Sequence, residues 1–252
     1  MHTPLKTVLS TVSIGVLVAV CLGADTTSET VPSAQKEVDH FLQEFVAKRE
    51  RLNDYSASFT QTKLSRLFDD KEVSTGTVHY QRPGKILWDY RSPDVMKVLV
   101  KDRVVSIYTE ELEQLEIYDF TQEKKMRGLF LGFDESPEEL KDLYTITLVA
   151  PTTGEQARCV KLVPKTEDLI SYFASVQLWL RPSDFAVHKI LIVDPDEEGE
   201  TVISLTNIRV NRGVRDATFE INVPEGTEII RRRPDELEPQ EPAIKESDLF
   251  TT

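Results

Sequence analysis

Three consecutive runs decide the fold of this chain: Thr75-Gly-Thr-Val-His-Tyr-Gln81, Lys85-Ile-Leu-Trp-Asp-Tyr-Arg91 and Val95-Met-Lys-Val-Leu-Val100. Apolar and polar side chains alternate in these runs, which is the pattern of a half-buried β-strand. The connections Arg82-Pro83-Gly84 and Ser92-Pro93-Asp94 are too short for a crossover, so neighbouring strands must run antiparallel. This stretch therefore predicts an antiparallel sheet.

The same alternation continues on both sides of this stretch. Tyr55, Ala57 and Phe59 alternate with Ser and Thr, and further strands are predicted at 104–108, 115–118, 144–149, 159–163, 174–180, 187–193, 202–210 and 218–223. A sheet of about ten or more strands must curve, because flat sheets of that width are disfavoured. We predict a mainly β (α+β) fold, a curved antiparallel sheet that forms an open half-barrel.

Helical segments interrupt this pattern and predict a lid. Ser33 is the expected cap of a helix whose apolar face carries Val38, Phe41, Leu42, Phe45, Val46 and Leu52. Residues 122–133 break the strand rhythm, and Ser136-Pro137 has the cap and first-turn Pro of a helix start. The apolar faces of these helices must be buried, and the concave side of the half-barrel is the surface that we expect them to cover.

The two ends of the chain differ in composition from the middle. Residues 1–24 have the charged, apolar and small-residue order of a signal peptide, although an uncleaved anchor and a lipidated Cys21 stay open as alternatives. We predict a flexible linker at 25–32, one domain at 33–230 and a disordered acidic tail at 231–252. After cleavage Cys159 would be the only cysteine, so no disulfide is expected.

Charge and motifs exclude several classes of function. The 252 residues contain 30 Lys and Arg against 43 Asp and Glu, a net charge of −13, which argues against a nucleic-acid partner. No zinc-ligand spacing, nucleophile elbow or phosphate-binding glycine loop occurs, so neither an enzyme nor a cofactor is expected. The acidic run Asp194–Gly199 resembles a calcium loop but has Leu205 at its twelfth position, which favours a hairpin turn.

Three apolar strand faces can be interpreted in two ways, as an ordinary core or as the wall of a ligand cavity. Ile86, Trp88 and Tyr90 share one face of a strand, and two later strands repeat the pattern with Met96, Val98, Val100 and with Val176, Leu178, Leu180. Periodicity alone favours an ordinary core and leaves a ligand cavity open.

Two sequence stretches resemble a known family. Tyr55-Ser-Ala-Ser-Phe59-Thr-Gln61 followed by Gly76-Thr-Val-His-Tyr-Gln-Arg82-Pro83-Gly-Lys-Ile86-Leu-Trp88-Asp-Tyr90 is similar to the opening of the LolA family of periplasmic outer-membrane lipoprotein carriers. Asn211 to Gly226 resembles the closing strand and Pro-x-Gly turn of that family, and the likeness spans about residues 33–230.

The resemblance implies a function and partners. It implies a monomeric periplasmic chaperone with a helical lid over an apolar cavity, which binds the acyl chains of lipoproteins. An inner-membrane lipoprotein-releasing ABC transporter would load it, and an outer-membrane lipoprotein receptor would unload it. A membrane-anchored receptor or lipid-binding sensor of the same fold is the alternative, and an enzyme with an unrecognised site is a third.

The resemblance also implies site residues. Arg82 matches the family's Arg of the Arg-Pro pair, which is thought to hold the lid closed, and Phe59, Ile86 and Trp88 match apolar positions on the sheet. We expect a ligand-binding site that also includes Tyr90, Met96 and Val98, with Leu129 and Phe130 from the lid. Met126 and Leu131 are further lid candidates by position.

Overall fold

A computed structural model describes residues 30–66, 69–121, 136–150 and 156–233. The helices are α1 (Thr30–Arg49), α2 (Pro137–Leu143) and α3 (Glu167–Ile170), and a 3-10 helix spans Asp216–Phe219. The strands are β1 (Asp54–Ser65), β2 (Asp70–Gln81), β3 (Lys85–Ser92), β4 (Met96–Lys101), β5 (Val104–Thr109), β6 (Gln114–Asp119), β7 (Tyr144–Val149), β8 (Arg158–Pro164), β9 (Ser175–Leu180), β10 (Val187–Val193), β11 (Gly199–Val210) and β12 (Glu228–Arg232).

The described strands form one 12-stranded sheet in the order β12-β6-β5-β4-β3-β2-β1-β11-β10-β9-β8-β7. It consists of two meanders, β1–β6 and β7–β11, joined where β1 pairs with β11 over ten register partners from Tyr55–Val210 to Ser65–Gly199. Every pair is antiparallel except β12 with β6, which is parallel. The predicted mainly β fold with an open sheet is confirmed, and the one parallel pair departs from it.

The sheet is curved, as its cavity-lining side chains demonstrate. Val98 on β4 and Leu178 on β9 line the same cavity, although six strand steps separate the two strands in the sheet. In a flat sheet this separation would be about 29 Å, at about 4.8 Å a step. The edge strands β12 and β7 are not paired with each other, so the sheet is open.

The concave face carries most of the apolar core in two clusters. The first lies on β1–β6 and β11 and includes Phe59, Tyr80 and Ile107. The second lies on β7–β10 beneath α1, with Phe41 and Leu42 of the helix against the sheet. Val187 and Ile190 of β10 contact both clusters, so the core is continuous across the junction of the two meanders.

One of the two predicted helix starts is confirmed and the other is wrong. Ser136 caps α2 with a full capping box: its hydroxyl accepts from the Glu139 N–H, and the Glu139 carboxylate accepts from the Ser136 N–H. The predicted start of α1 at Ser33 is wrong, because the helix begins at Thr30. Helix ends are set by cap geometry as well as composition, and the apolar periodicity that starts at Val38 does not mark the first turn. No helix in the described ranges is long and apolar enough to span a membrane.

The segment after β11 contradicts two sequence expectations. The predicted strand at 218–223 is wrong: Asp216–Phe219 is a 3-10 helix, and the next strand after β11 begins only at Glu228. Both edges of β11 are already paired, one with β1 and the other with β10. The chain therefore crosses the convex face and pairs only at the free edge of β6. That strand includes Arg231 and Arg232, which the sequence placed in a disordered tail. Residues 234–252 lie outside the described ranges.

The crossing segment is held by a buried side chain and by polar contacts. Phe219 is 1% exposed and packs against Leu87 and Leu99 on the convex face. The buried Asp54 carboxylate accepts hydrogen bonds from the N–H groups of Arg212 and Gly213 at 2.8 and 3.1 Å. These contacts fix the point at which the chain leaves β11, where Gly213 takes a φ of 80°.

A pH dependence of stability follows from His79 on the convex face of β2. Burial lowers the pKa of His79, with Arg91 adding to this effect and Asp89 opposing it, and its Nδ1 has no hydrogen-bond partner among the described residues. The unfolded chain therefore binds more protons, and the free energy of unfolding should fall as the pH decreases through about 6.5. We expect His79→Gln to reduce this fall in urea denaturation at about pH 7.5 and about pH 5.5. The exposed His40 provides the control His40→Gln, and equal pH dependence of the two variants would contradict the assignment.

Candidate functional site

A cavity of about 290 Å³ lies between the concave face of the sheet and the C-terminal part of α1. All but two of its lining residues are apolar or aromatic. They come from α1 and its end (Phe45, Leu52), β1 to β4 (Tyr55, Val78, Tyr80, Ile86, Trp88, Val98, Val100), the second meander (Leu178, Val187, Ile190, Leu205) and the loop before β10 (Phe185, Ala186). The two charged lining residues are Arg49 and Asp184.

The structure brings together three of the residues predicted from sequence. Ile86, Trp88 and Val98 lie on the concave face of β3 and β4 and line the cavity directly. Val98 is opposite Trp88 in the antiparallel register, so their side chains are neighbours on one face. Ile86 is only 7% exposed and also belongs to the core, so a charge there would threaten the fold as well as binding.

Phe59, Tyr90 and Met96 occupy a layer beside the cavity rather than its lining. The Phe59 ring contacts the Trp88 ring edge-on, with centroids 5.1 Å apart, and contacts the Tyr90 ring at 4.9 Å. Met96 is half-buried against the same cluster. These aromatic contacts hold Trp88 in place, so the three residues support the cavity wall.

Gly76 makes this packing possible. It lies opposite Phe59 in the β1–β2 register, and a Cβ atom at this position would come within 2.7 Å of the Phe59 ring. A Cβ atom would also clash with the Asp89 carbonyl oxygen, so glycine is required here by the backbone of β3 as well as by the Phe59 ring.

Two tyrosines near the cavity stay neutral. The Tyr55 hydroxyl donates to the Val187 carbonyl at 3.0 Å, and burial raises its pKa. The Tyr90 hydroxyl donates to Gln61 Oε1 at 3.0 Å, and burial together with the nearby Glu72 carboxylate raises its pKa to about 12. Neither phenol is suited to proton transfer near neutral pH.

Helix α1 covers the cavity and is held along the side of the second meander. The Phe185 ring contacts the rings of Phe41 and Phe45, with centroid distances of 5.7 and 6.4 Å. Lys48 Nζ donates to the Ser183 carbonyl at 2.9 Å. Because these contacts come from the short loop between β9 and β10, one side of the cover rests on this loop.

Arg82 holds the opposite side of the same helix. Its Nη1 donates to the carbonyl oxygens of Glu50 at 3.1 Å and Arg49 at 3.4 Å, where α1 ends. Carbonyls at a helix C-terminus carry partial negative charge and attract cations, so a guanidinium suits this position. The expected contact between Arg82 and a helical cover is therefore present, and the cover is α1. The lid candidates Met126, Leu129, Phe130 and Leu131 lie outside the described residues.

Two charged residues interrupt the apolar lining of the cavity. The Arg49 guanidinium carbon is 5.7 Å from the centroid of the Phe45 ring, and the Asp184 carboxylate pairs with Arg181. None of the described lining residues is a serine, cysteine or histidine. The arrangement offers an almost entirely apolar cavity, which suits an apolar chain better than a reaction.

Sequence reasoning left the face that carries Leu178 open as either core or cavity, and Leu178 lines the cavity. It missed Phe185 and Ala186 of the β9–β10 loop, and Ile190 and Leu205 of the second meander, which also line the cavity. The alternation at 174–180 and 187–193 assigned Leu178 and Ile190 to strands, but which two distant strands face each other depends on how the sheet curves. The apolar face of α1 correctly predicted that this helix covers the concave side of the sheet, but it does not identify which strands lie beneath it.

Sequence comparisons with known proteins point to one family. The family model described as outer membrane lipoprotein carrier protein LolA matches residues 50–222. An outer-membrane lipoprotein carrier protein from Hahella chejuensis is 26% identical over 181 residues, which cover 71% of this chain and 83% of that protein. One from Methylococcus capsulatus is 27% identical over 215 residues, 85% of this chain and 94% of that protein. The crystal structure of an uncharacterised conserved protein from Thermus thermophilus matches 75% of this chain and 98% of its own, with 13% identity and a TM-score of 0.49.

Proposed function

Because this chain belongs to the LolA family of outer-membrane lipoprotein carrier proteins, we propose that it is a periplasmic chaperone that binds lipoprotein acyl chains in the α1-covered cavity. The observation that carries this proposal is the nearly continuous apolar lining, in which only Arg49 and Asp184 are charged. The protein takes lipoproteins released from the inner membrane to the outer membrane.

Physical chemistry explains why such cargo needs a carrier. Each methylene kept out of water is worth about 0.8 kcal/mol, so a multiply acylated protein does not leave a bilayer unaided. The cavity of about 290 Å³ is at the lower end of the size range of small-molecule sites. It accommodates a single apolar chain, so cargo with several chains requires α1 to move away from the sheet.

The proposal includes two membrane partners. An inner-membrane lipoprotein-releasing ABC transporter supplies the work of loading, since the full transfer cost of several chains exceeds the affinity that non-covalent binding reaches. An outer-membrane lipoprotein receptor accepts the cargo. The carrier itself works as a monomer with no cofactor and no chemical step.

We expect Arg82→Leu to bind cargo normally or better and to release it poorly. The Arg82 contacts with the Arg49 and Glu50 carbonyls stabilise the closed, empty state, so their loss favours the open, loaded state. For hydrogen bonds at this exposed position we estimate about 1 kcal/mol, or about fivefold tighter binding of a multiply acylated lipoprotein, whose chains require the open state. Transfer from the loaded variant to acceptor membranes should slow accordingly.

Arg82→Lys is the matched control, because it keeps the charge and one donor nitrogen but loses the planar fork of the guanidinium. Its cargo affinity and its transfer rate should lie between those of the wild type and of Arg82→Leu. If Arg82→Leu transfers cargo at the wild-type rate, Arg82 has no part in release.

The function is tested with bacterial spheroplasts mixed with the purified protein. Newly made lipoproteins should appear in the supernatant in a one-to-one complex with this chain. If no lipoprotein is released while the isolated protein still binds a fluorescent fatty acid, the carrier role is wrong, and a membrane-anchored receptor or lipid sensor is favoured. If it binds no fatty acid either, the cavity is not an acyl site.

A further inference from the structure

Successive layers of concave side chains cross strands β1 to β4, as the antiparallel register shows. The first layer consists of Tyr55, Tyr80, Ile86 and Val100, the second of Ala57, Val78, Trp88 and Val98, and the third of Phe59, Gly76, Tyr90 and Met96. All of the first layer and all of the second except Ala57 line the cavity, whereas no member of the third layer does. The lining on these four strands therefore stops at the third layer.

The same boundary continues on the second meander. Toward this end of the cavity the lining stops at Leu205 on β11, Ile190 on β10 and Leu178 on β9. The next concave residues of these strands belong to the two apolar clusters of the core. We name the boundary residues of both meanders the end wall: Phe59, Tyr90, Met96, Val176, Ile192 and Ile203.

The end wall is closely packed against the lining. The Phe59 ring is 2% exposed and lies edge-on to the rings of Trp88 and Tyr90, with centroids 5.1 and 4.9 Å apart. The same ring fills the space over Gly76, where β2 contributes no side chain. The end wall thus has no gap at β2, although one of its four strands carries a glycine there.

Polar groups lie behind the end wall on the first meander. Gln61 and Ser74 are paired in the next layer, where Gln61 Oε1 accepts from the Tyr90 hydroxyl at 3.0 Å and Ser74 is buried. Lys63 and Glu72 form the pair after that. An apolar chain that passed the wall would remove these groups from water without replacing their hydrogen bonds, which is unfavourable.

The opposite end of the cavity has no such wall. Tyr55, Tyr80, Ile86 and Val100 each lie one residue from an end of their strand. Beyond them the chain turns, so no further layer of strand side chains closes the cavity, and Leu52 from the connection after α1 lines it there. A bound chain whose polar head lies at this end would direct its methyl end at the end wall.

We propose that the end wall limits the length of the acyl chain that the cavity accepts, and that Phe59 and Met96 set this limit. The inference rests on the proposed acyl-binding function and deepens it. Each methylene that enters the cavity leaves water and should raise the affinity by up to about fourfold. Methylenes that exceed the distance to the end wall stay in water, so the affinity should stop rising at that length.

Two substitutions open the end wall. Phe59→Ala removes the ring that covers Gly76, so the void spans β1 and β2. Met96→Ala removes three heavy atoms from a half-buried side chain and is the milder change. Surrounding side chains fill such voids only in part. The control is Leu99→Ala, because Leu99 lies on the same strand as Met96 but is buried on the convex face against Phe219.

The measurement is the displacement of a fluorescent fatty acid by saturated fatty acids from decanoate to octadecanoate. We expect the affinity of the wild type to level off within this series. Both end-wall variants should extend the rise by at least about two methylenes, and should therefore bind the longest chains at least about tenfold more tightly than the wild type does. Leu99→Ala should level off at the wild-type length.

Urea denaturation establishes which variants are folded, and Met96→Ala decides the question alone if Phe59→Ala does not fold. Folded end-wall variants that level off at the wild-type length would overturn the proposal, as would an equal extension in Leu99→Ala. A wild-type affinity that rises through the whole series would refute the length limit and leave the acyl site intact. A wild type that binds no fatty acid of any length would instead refute the acyl site itself.

Discussion

The Val98→Asp variant should lose fatty-acid binding by at least about a hundredfold, about 2.7 kcal/mol. Val98 lines the cavity opposite Trp88, so an ionised carboxylate there would have to be desolvated against the apolar chain. The side chain is half-buried rather than fully buried, which makes this position safer for the fold than Ile86. Titration with a fluorescent fatty acid measures the effect, and urea denaturation verifies that the variant is folded.

Val163→Asp is the matched control for this experiment. Val163 lies on β8 and is 38% exposed, so the same substitution meets water there and should leave binding unchanged. Val98→Trp tests the same wall without a charge, because the larger side chain occupies part of the cavity. Wild-type affinity in both Val98 variants would place the acyl site elsewhere.

Phe219→Ala should reduce the free energy of unfolding by about 3–5 kcal/mol. Phe219 is 1% exposed and packs between Leu87 and Leu99, so truncation leaves a void on the convex face of β3 and β4. Urea denaturation followed by circular dichroism measures the change.

Leu112→Ala provides the comparison, because Leu112 is 62% exposed and its truncation should cost no more than about 0.5 kcal/mol. If Phe219→Ala costs as little as Leu112→Ala, the crossing segment does not anchor on this surface. Fatty-acid binding at low urea should survive the Phe219 substitution, because the residue lies on the face opposite to the cavity.

Local patterns in the sequence predicted the local structure well. Alternation located β2 to β5 to within a few residues at their ends, apart from the early start of β2 at Asp70, and Ser136-Pro137 identified the start of α2. These features depend on neighbours a few residues away, which is the range over which periodicity and capping act.

The larger errors concern contacts between distant parts of the chain. The run at 218–223 has strand-like alternation, but its Phe219 is buried on the convex face of another part of the sheet. Arg231 and Arg232 have a charged composition typical of a tail, yet they pair with β6 because an edge was free. Composition has no information about which edges remain unpaired.

The cavity residues show the same difference between local patterns, which were predicted, and distant contacts, which were not. Ile86, Trp88 and Val98 were predicted from one face of adjacent strands together with the family resemblance, and all three line the cavity. Phe185 and Leu205 were missed, since their positions depend on the curvature of the sheet and on the β9–β10 loop. The contact of Arg82 with a helical cover was expected from the resemblance, while its location on α1 required the structure.

The junction between β1 and β11 determines when the cavity forms during folding. Within each meander, strands pair with their sequence neighbours, which costs little loop-closure entropy and is fast. The β1–β11 pairing joins residue 55 to residue 210 and has the highest sequence separation of the strand pairs in the β1–β11 part of the sheet. Tyr55 and Leu205 line the cavity from either side of this junction. We therefore expect the two meanders to collapse early without a cavity, and the cavity to form only when this most distant strand pairing is made.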